Sequence, residues 1–245
     1  MLPRLGGMAR PNGVVIVSER YWAFSGVDGM LVEGRMPTLP RLVGRIPLLR
    51  GLARLALAFA PVMRQGGATR RFERLGLLAA LLLPFGLVLF SERVALAAGF
   101  GVTAVLFWLL FRGRTLALHG AEHRAIAAAE SRRLEQTWDG SARPSRFSLR
   151  CGTNFAALAA PITFAADQAW PLSVALWTPL AVTMLSLALT MELWQLVQGS
   201  SSRLARALLL PGLALQRVTT REPSLDETRI ALRAVDSVVR RSLQG

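Results

Sequence analysis

The stretches of sequence that decide the fold are two uncharged runs, LGLLAALLLPFGLVLF at residues 75–90 and VALAAGFGVTAVLFWLLF at residues 94–111. Only three residues, Ser91, Glu92 and Arg93, separate them. A membrane helix needs about 20 apolar residues, with a lower limit near 17. We therefore expect two short transmembrane helices joined by a tight turn, with a re-entrant hairpin as the alternative.

A second pair of apolar runs follows later in the chain, at Thr153–Ala166 and Leu172–Met191, on either side of the turn sequence DQAWP at residues 167–171. The two pairs together predict a mainly α, integral membrane fold with four transmembrane helices in two hairpins. The remaining elements that we expect are an interfacial amphipathic helix, a small N-terminal β-hairpin or meander, and a C-terminal cytoplasmic helix.

The charge distribution predicts how these hairpins are oriented. By count, residues 1–74 hold 12 Arg and residues 112–150 and 199–245 hold 8 each, whereas the turns within the hairpins hold only Arg93. Cytoplasmic segments of membrane proteins are enriched in basic residues. We therefore expect a multi-pass protein of the cytoplasmic, or inner, membrane with both termini in the cytoplasm.

Composition indicates the expected partners. Of the 245 residues 52% are hydrophobic and 18% charged, where a soluble domain has about 25% charged residues. The net charge is +14, and with no Lys in the chain all of the basic residues are Arg. Anionic lipid headgroups are the expected partner, and a protein complex is a possible second one. Nucleic acid is not expected, because the Arg residues flank apolar blocks and are not interleaved with aromatic residues.

The chain divides into six segments by these patterns. The first is β-rich because short β-branched and aromatic runs precede the turn sequence SGVDG at residues 25–29, and the last contains a capping box, Ser224–Glu227, that predicts a helix. The segments are a small cytoplasmic β-rich segment (1–38), the interfacial helix region (39–74), hairpin 1 (75–111), a cytoplasmic loop and helix with the motif HGAEH (112–150), hairpin 2 (151–198) and a cytoplasmic helical tail (199–245).

The motif HGAEH contains the only two histidines of the sequence, His119 and His123. On a helix, side chains at i and i+4 lie on one face about 6 Å apart, so two imidazoles at this spacing can bind one metal ion, with zinc the expected one. Glu122 lies between them and is the candidate catalytic base, in the pattern H-x-x-E-H of inverted zincins. The alternative is a pair of surface histidines with Glu122 as a local salt partner.

Three further residues are candidates for the third metal ligand. Glu130 lies on the same helical face as the histidines, seven residues beyond His123. Glu192 lies within the fourth apolar run, where an ionisable residue is costly and usually functional. Cys151 lies at the start of the third run, and a thiolate is a good zinc ligand. Two of them also have a structural alternative: for Glu192, snorkelling to the interface or pairing with an Arg, and for Cys151, a small packed residue.

The sequence resembles the YqhQ-type family, a bacterial domain-of-unknown-function family described as predicted metal-dependent membrane proteins. The resemblance is carried by RPNGVVI (10–16), PLLRGL (47–52), HGAEHRAI (119–126) with Glu130, RCGTNF (150–155) and LPGLALQRVTTREP (210–223). It implies a multi-span membrane protein with a metal site. The family pattern around the cysteine resembles His-x-x-Cys-Gly-Thr, whereas Ser148 stands at the histidine position of this chain. The site then depends on Glu130, Glu192 or Cys151, or is degenerate.

Two functions are compatible with these features. One is a membrane-embedded, metal-dependent hydrolase that acts on a membrane-associated substrate, with Glu122 as general base. The other is a non-enzymatic membrane scaffold or assembly partner with a structural metal site. A transporter is less favoured because only Glu192 lies clearly within a predicted span. Without Lys the chain has no G-x-x-x-x-G-K-[ST] phosphate loop.

Overall fold

The computed structural model describes residues 2–63, 92–111, 113–172 and 177–244, with the single positions 75, 78, 79, 82 and 86. The chain begins with an antiparallel sheet in which each strand pairs with the next along the sequence. Its pairing places Gly7 opposite Ile16, Val15 opposite Phe24, and Phe24 opposite Val32. The strands are β1 (Gly6–Arg10), β2 (Gly13–Val17), β3 (Tyr21–Gly26) and β4 (Leu31–Arg35).

Helices follow the sheet in three groups. Three short ones are α1 (Arg41–Arg45), α2 (Leu49–Ala58) and α3 (Ala60–Met63). The central ones are α4 (Glu92–Phe111), α5 (Thr115–Glu130), α6 (Leu134–Asp139), α7 (Gly152–Gln168) and α8 (Thr178–Gly199). The last ones are α9 (Arg203–Ala207), α10 (Leu210–Thr219) and α11 (Leu225–Gln244).

The main core lies between the sheet, α5 and α11. Residues of α11 spaced three or four apart, such as Ala231, Val235 and Val238, are buried, as expected for one face of an amphipathic helix. They pack with residues of β2 and β3, including Ile16, and with an alanine-rich face of α5 that includes Ala125. Small side chains on α5 let the neighbouring elements approach closely.

Reciprocal hydrogen bonds fix the start of α11 at the predicted capping box. The Ser224 backbone N–H donates to the Glu227 carboxylate at 2.9 Å, and the Glu227 N–H donates to the Ser224 Oγ at 3.2 Å. Two otherwise unpaired donors at the helix N-terminus are satisfied in this way. These bonds fix the residue at which α11 begins, and so which of its side chains pack in the core.

A second packing unit joins α7, α8, α2 and α10. The Glu192 carboxylate on α8 accepts a hydrogen bond from the Arg50 guanidinium at 2.5 Å and one from the Leu48 backbone N–H at 3.2 Å. These bonds fasten the start of α2 to α8. The inward face of α8 carries small polar residues, Ser186 and Thr190, whose hydroxyls donate to carbonyls one turn earlier.

The predicted four-span fold is wrong. Within the residues that the structure describes, α8 is the one helix that is long and apolar enough to cross a membrane. The third predicted run forms α7, whose 17 residues contain Pro161. At 1.5 Å per residue α7 is about 25 Å long, which is short of the ~30 Å hydrocarbon core. The fourth run is shifted: α8 starts at Thr178, with Pro179 in its first turn, and ends at Gly199.

The other differences concern the N-terminal half. Of the two forms predicted for the N-terminal segment, a small hairpin or a meander, the structure has a meander of four strands. The described part of the predicted interfacial helix region (39–74) is divided into α1, α2 and α3. The break between α1 and α2 falls at Pro47 and at Leu48, whose φ is positive at 65°. Most of the first predicted run, residues 75–90, lies outside the described residues, and the second run forms α4.

We expect Val238→Ala to lower the free energy of unfolding by roughly 2 kcal/mol, because it leaves a cavity at a fully buried position between α11 and the sheet. Chemical denaturation of the full chain in detergent measures this loss. The control is Arg240→Ala on the same helix, which removes only an exposed ion pair with Asp236 and should cost less than about 1 kcal/mol. Equal effects of the two variants would contradict the assigned core.

Candidate metal centre

The two histidines of the HGAEH motif lie on one face of α5, with ring centroids 4.6 Å apart. The third member of the group is Cys151, the residue immediately before α7, whose Sγ lies 3.2 Å from the Nε2 of His119. One ligand atom from each of the three residues lies within 4.8 Å of the others. The structure thus brings His119, His123 and Cys151 together.

Both imidazole rings are oriented by backbone carbonyls. The Nδ1 of His119 lies 2.8 Å from the carbonyl oxygen of Thr219, and the Nδ1 of His123 lies 2.7 Å from that of Arg146. A carbonyl can only accept, so each Nδ1 carries the proton and donates it, leaving Nε2 as the lone-pair atom. This arrangement, with one nitrogen bonded to a carbonyl and the other free, is common in metal-binding histidines.

The Nε2 of His123 supports a metal at this position. The residue is 2% exposed, and this nitrogen is buried with no hydrogen-bond partner among the residues that the structure describes. A buried polar atom without a partner costs about 1–3 kcal/mol, so such atoms are rare unless an ion or water satisfies them. Ligands of a tetrahedral zinc ion are about 3.3–3.7 Å apart, from bond lengths of about 2.0–2.3 Å, and small side-chain shifts bring the three donors to that spacing. The residues therefore fit a divalent metal.

Burial also decides the protonation of the three donors. It lowers the pKa of His123 to about 4, helped by the nearby His119, and it lowers the pKa of His119. Both imidazoles are therefore neutral at pH 7, as metal ligation requires. Burial likewise raises the pKa of the Cys151 thiol to about 11, so metal binding must release its proton.

Glu122, the predicted base, lies beside this group on the side that faces the sheet. Its side chain is 5% exposed, packs against Gly7 of β1 and accepts a hydrogen bond from the backbone N–H of Ala9. Burial raises its pKa to about 8. In its charged form Glu122 is, after burial, one of the groups that raise the pKa of the Cys151 thiol. Its catalytic role stays a prediction.

The structure does not bring the two other candidate ligands to the histidines. Glu130, at the end of α5, forms an ion pair with Arg150, and about 41% of its side chain is exposed. Glu192 lies on α8 and forms an ion pair with Arg50. Glu192 thus takes the Arg-paired arrangement that was its structural alternative, and Glu130 is also paired with an Arg. Ser148, at the position of the family histidine, accepts a hydrogen bond from the Arg150 N–H through its Oγ and helps shape the turn before Cys151.

A charged cluster holds the segments that carry the two carbonyls. Arg146 donates to the carbonyl oxygen of Thr220 at 2.6 Å and to the Thr220 hydroxyl at 2.9 Å. Arg124, nearly buried on α5, donates to the carbonyl of Pro144 at 3.0 Å and forms an ion pair with Glu222 at 2.6 Å. These bonds tie the loop before Cys151 to the end of α10 and to α5. Sequence reasoning missed this cluster.

Close backbone contacts complete the site. A side chain at Gly120, within the motif, would overlap the carbonyl oxygen of Arg221, and one at Gly212 on α10 would overlap Asn154 on α7. Between α7 and α10, the buried Gln216 side chain donates to the Ser148 carbonyl at 2.8 Å and to the Asn154 side chain at 3.2 Å. The chain thus needs glycine at these positions for α10 to reach the histidines.

Together, the described residues define an α+β protein with one apolar helix of membrane-spanning length and a largely buried group of two histidines and one cysteine. The chain belongs to the family described as protein of unknown function (DUF1385), whose model matches residues 102–241. This confirms the resemblance to the YqhQ-type family. The match covers all three residues of the group. No curated protein and no solved structure matches the chain.

Removal of the Glu122 carboxyl should change the pH dependence of stability. A pKa raised from 4.5 to about 8 means that the folded state binds more protons than the unfolded state across that range, so stability falls as pH rises. We therefore compare the free energies of unfolding of Glu122→Gln and wild type in chelator-treated protein. Between pH 5 and pH 7, the difference (variant minus wild type) should rise by about 2.5 kcal/mol, because only the wild type loses stability from this group.

Denaturant unfolding at both pH values measures this difference. The matched control is Glu135→Gln on α6, where the carboxylate is exposed and the difference from wild type should stay constant. A constant difference for Glu122→Gln as well would contradict the burial of this carboxyl.

Proposed function

We propose that this protein binds one zinc ion through the Nε2 atoms of His119 and His123 and the thiolate of Cys151. We further propose that it is a metal-dependent hydrolase at the cytoplasmic face of a membrane, with α8 as its membrane anchor. The observation that carries the metal site is the unpartnered Nε2 of His123, held toward the other two donors by the hydrogen bond at its Nδ1.

The donor set supports zinc. Imidazole and thiolate are borderline and soft ligands, which suit zinc and exclude magnesium and calcium as preferred ions. Three protein ligands with a fourth position left open are typical of catalytic zinc sites, whereas structural sites have four. Because His119 is only partly buried, we expect a small molecule to approach the metal from the side of this residue.

Glu122 is the residue that we assign to proton transfer. A bound zinc ion supplies Lewis-acid activation of water and of a carbonyl or phosphoryl oxygen. Glu122 is the acidic residue that acts electrostatically on Cys151, and its raised pKa lies near neutral pH, as a general acid–base group requires. Its carboxylate takes a proton from water and returns it to the leaving group. Substrates at this location are peptides, lipids or lipid-linked molecules of the membrane surface.

A second candidate function is a scaffold with a structural metal. It is favoured by the burial of His123 and Cys151, which are 2% and 5% exposed, and by their position where α5, α7 and the loop between them meet. In that case, metal would fasten these segments together and no coordination position would be open to small molecules.

Metal content tests the ligand assignment. We expect about one zinc ion per chain in wild type and a loss of most of it in His123→Ala and Cys151→Ser, because each removes one of only three ligands. Mass spectrometry of the purified, dialysed protein measures this. Glu130→Gln and Glu192→Gln are matched controls that should retain the metal. Loss of metal in the controls but not in His123→Ala would contradict the assignment.

Hydrolysis of 4-nitrophenyl acetate by the zinc-loaded chain tests the catalytic part. We expect Glu122→Gln to retain zinc while its rate falls roughly 100-fold, because it removes the general base. In cobalt-substituted protein, azide should change the visible spectrum of both wild type and Glu122→Gln, because both keep an open position. No hydrolysis above the metal-free level, together with a spectrum that azide leaves unchanged, would reject the hydrolase and favour the scaffold.

A further inference from the structure

Helix α10 has its polar side inward and its apolar side outward. Gln216 is fully buried, and the carbonyl of Thr219 bonds to His119. The opposite face presents Leu210, Leu215 and Val218, which are 60%, 46% and 57% exposed. A helix on the surface of a water-soluble protein has the reverse pattern, because exposure of apolar area to water costs about 25 cal/mol per Å².

The short helix α9 continues this apolar surface. Leu204 is 75% exposed and Leu208, directly after α9, is 43% exposed. We name the set Leu204, Leu208, Leu210, Leu215 and Val218 the outer leucine face. So many exposed apolar side chains within 15 consecutive residues are typical of a binding surface for protein or membrane.

The outer leucine face follows directly on the candidate membrane span. Only Ser200, Ser201 and Ser202 separate α8 from α9. The span itself has the same inverted pattern, with Ser186 and Thr190 buried and Leu196 71% exposed. Small and polar residues inward with leucines outward are typical of helices that pack within lipid. An apolar surface that starts where such a helix ends lies at the boundary of the bilayer.

The positive charge of the segment that contains α9 and α10 favours contact with an anionic surface. Arg203, Arg206, Arg217 and Arg221 are all exposed on this stretch, and the sequence has no acidic residue between Glu192 and Glu222. Arginine can keep its stem along apolar surface and its guanidinium at the headgroups. Helices with basic residues beside an apolar face bind anionic lipid at the interface.

We propose that α9 and α10 lie in the surface of an anionic phospholipid bilayer, with the outer leucine face among the acyl chains. The polar face of α10, which bonds to His119, then holds the histidine and cysteine group one helix diameter from the lipid. The proposal deepens the proposed function by directing its substrates to the bilayer, but it rests on the polarity of α10 and does not require that metal be bound.

Fluorescence quenching tests the placement without using the metal site. The full chain carries Cys151→Ser and a single new cysteine, Leu215→Cys, labelled with the environment-sensitive dye NBD. Cys151 is the N-cap of α7 and its side chain accepts from the Thr153 N–H, a role that serine performs well. The matched control places the label on α11 through Asp236→Cys, at a side chain that is about 52% exposed.

The purified chain is reconstituted in vesicles of phosphatidylcholine and phosphatidylglycerol with doxyl-labelled acyl chains. We expect a loss of roughly half or more of the NBD emission at position 215 and little loss at 236, because interfacial helices bury their apolar face about 5–10 Å into the bilayer. The loss at 215 should be smaller in vesicles of phosphatidylcholine alone.

Three results would overturn the proposal. Water-like emission at position 215 would show an exposed face. Blue-shifted emission without quenching would show that a second copy of the chain covers it. Equal quenching in both kinds of vesicle would reject the anionic surface. Because the labelled chain lacks a metal ligand, none of these results depends on the proposed metal site, and loss of metal binding would leave the placement of α10 intact.

Discussion

Two hydrogen bonds from histidine to backbone carbonyl determine what this site can do. His119 donates to Thr219 and His123 donates to Arg146, both through Nδ1. Without these bonds, the rings would rotate and either nitrogen could carry the proton. With them, Nε2 is the lone-pair atom of both rings: that of His119 lies 3.2 Å from the Sγ of Cys151, and that of His123 has no hydrogen-bond partner among the described residues. The site therefore depends on backbone positions about 20 and 100 residues away from the motif.

The fold keeps these carbonyls in place through ion pairs and close packing. The side chain of Arg146 donates a hydrogen bond to the carbonyl of Thr220, in the segment 220–223 that follows α10. In the same segment, Glu222 forms an ion pair with Arg124 on α5. Because Gly120 has no side chain, the segment 220–223 lies directly against α5. There the Arg221 N–H donates to the carbonyl of Leu116 at 2.9 Å. One packed unit thus contains α5, the loop before Cys151 and the end of α10. Helix α10 connects this unit to α7, which packs on α8.

The sequence predicted those parts of the site that are encoded locally. The i, i+4 spacing places His119 and His123 on one helical face wherever the helix lies, and the thiol chemistry of Cys151 made it a candidate. The carbonyls of Thr219 and Arg146 carry no side-chain signal, so no motif could have pointed to them. Apolar length alone predicted four spans, but it does not distinguish a span from a shorter helix like α7, which contains Pro161 and packs on α8 and α10. The Arg partners of Glu130 and Glu192 depend on tertiary contacts that spacing does not reveal.

X-ray absorption at the zinc edge of the zinc-loaded protein tests the central claim most directly, because it reports the atoms bound to the metal. Two nitrogen ligands at about 2.0 Å and one sulfur at about 2.3 Å, with one further light atom, are the shell that the three side chains predict. A shell made only of nitrogen and oxygen would contradict the account, since it would show that Cys151 does not bind the metal and that the two histidines act without it.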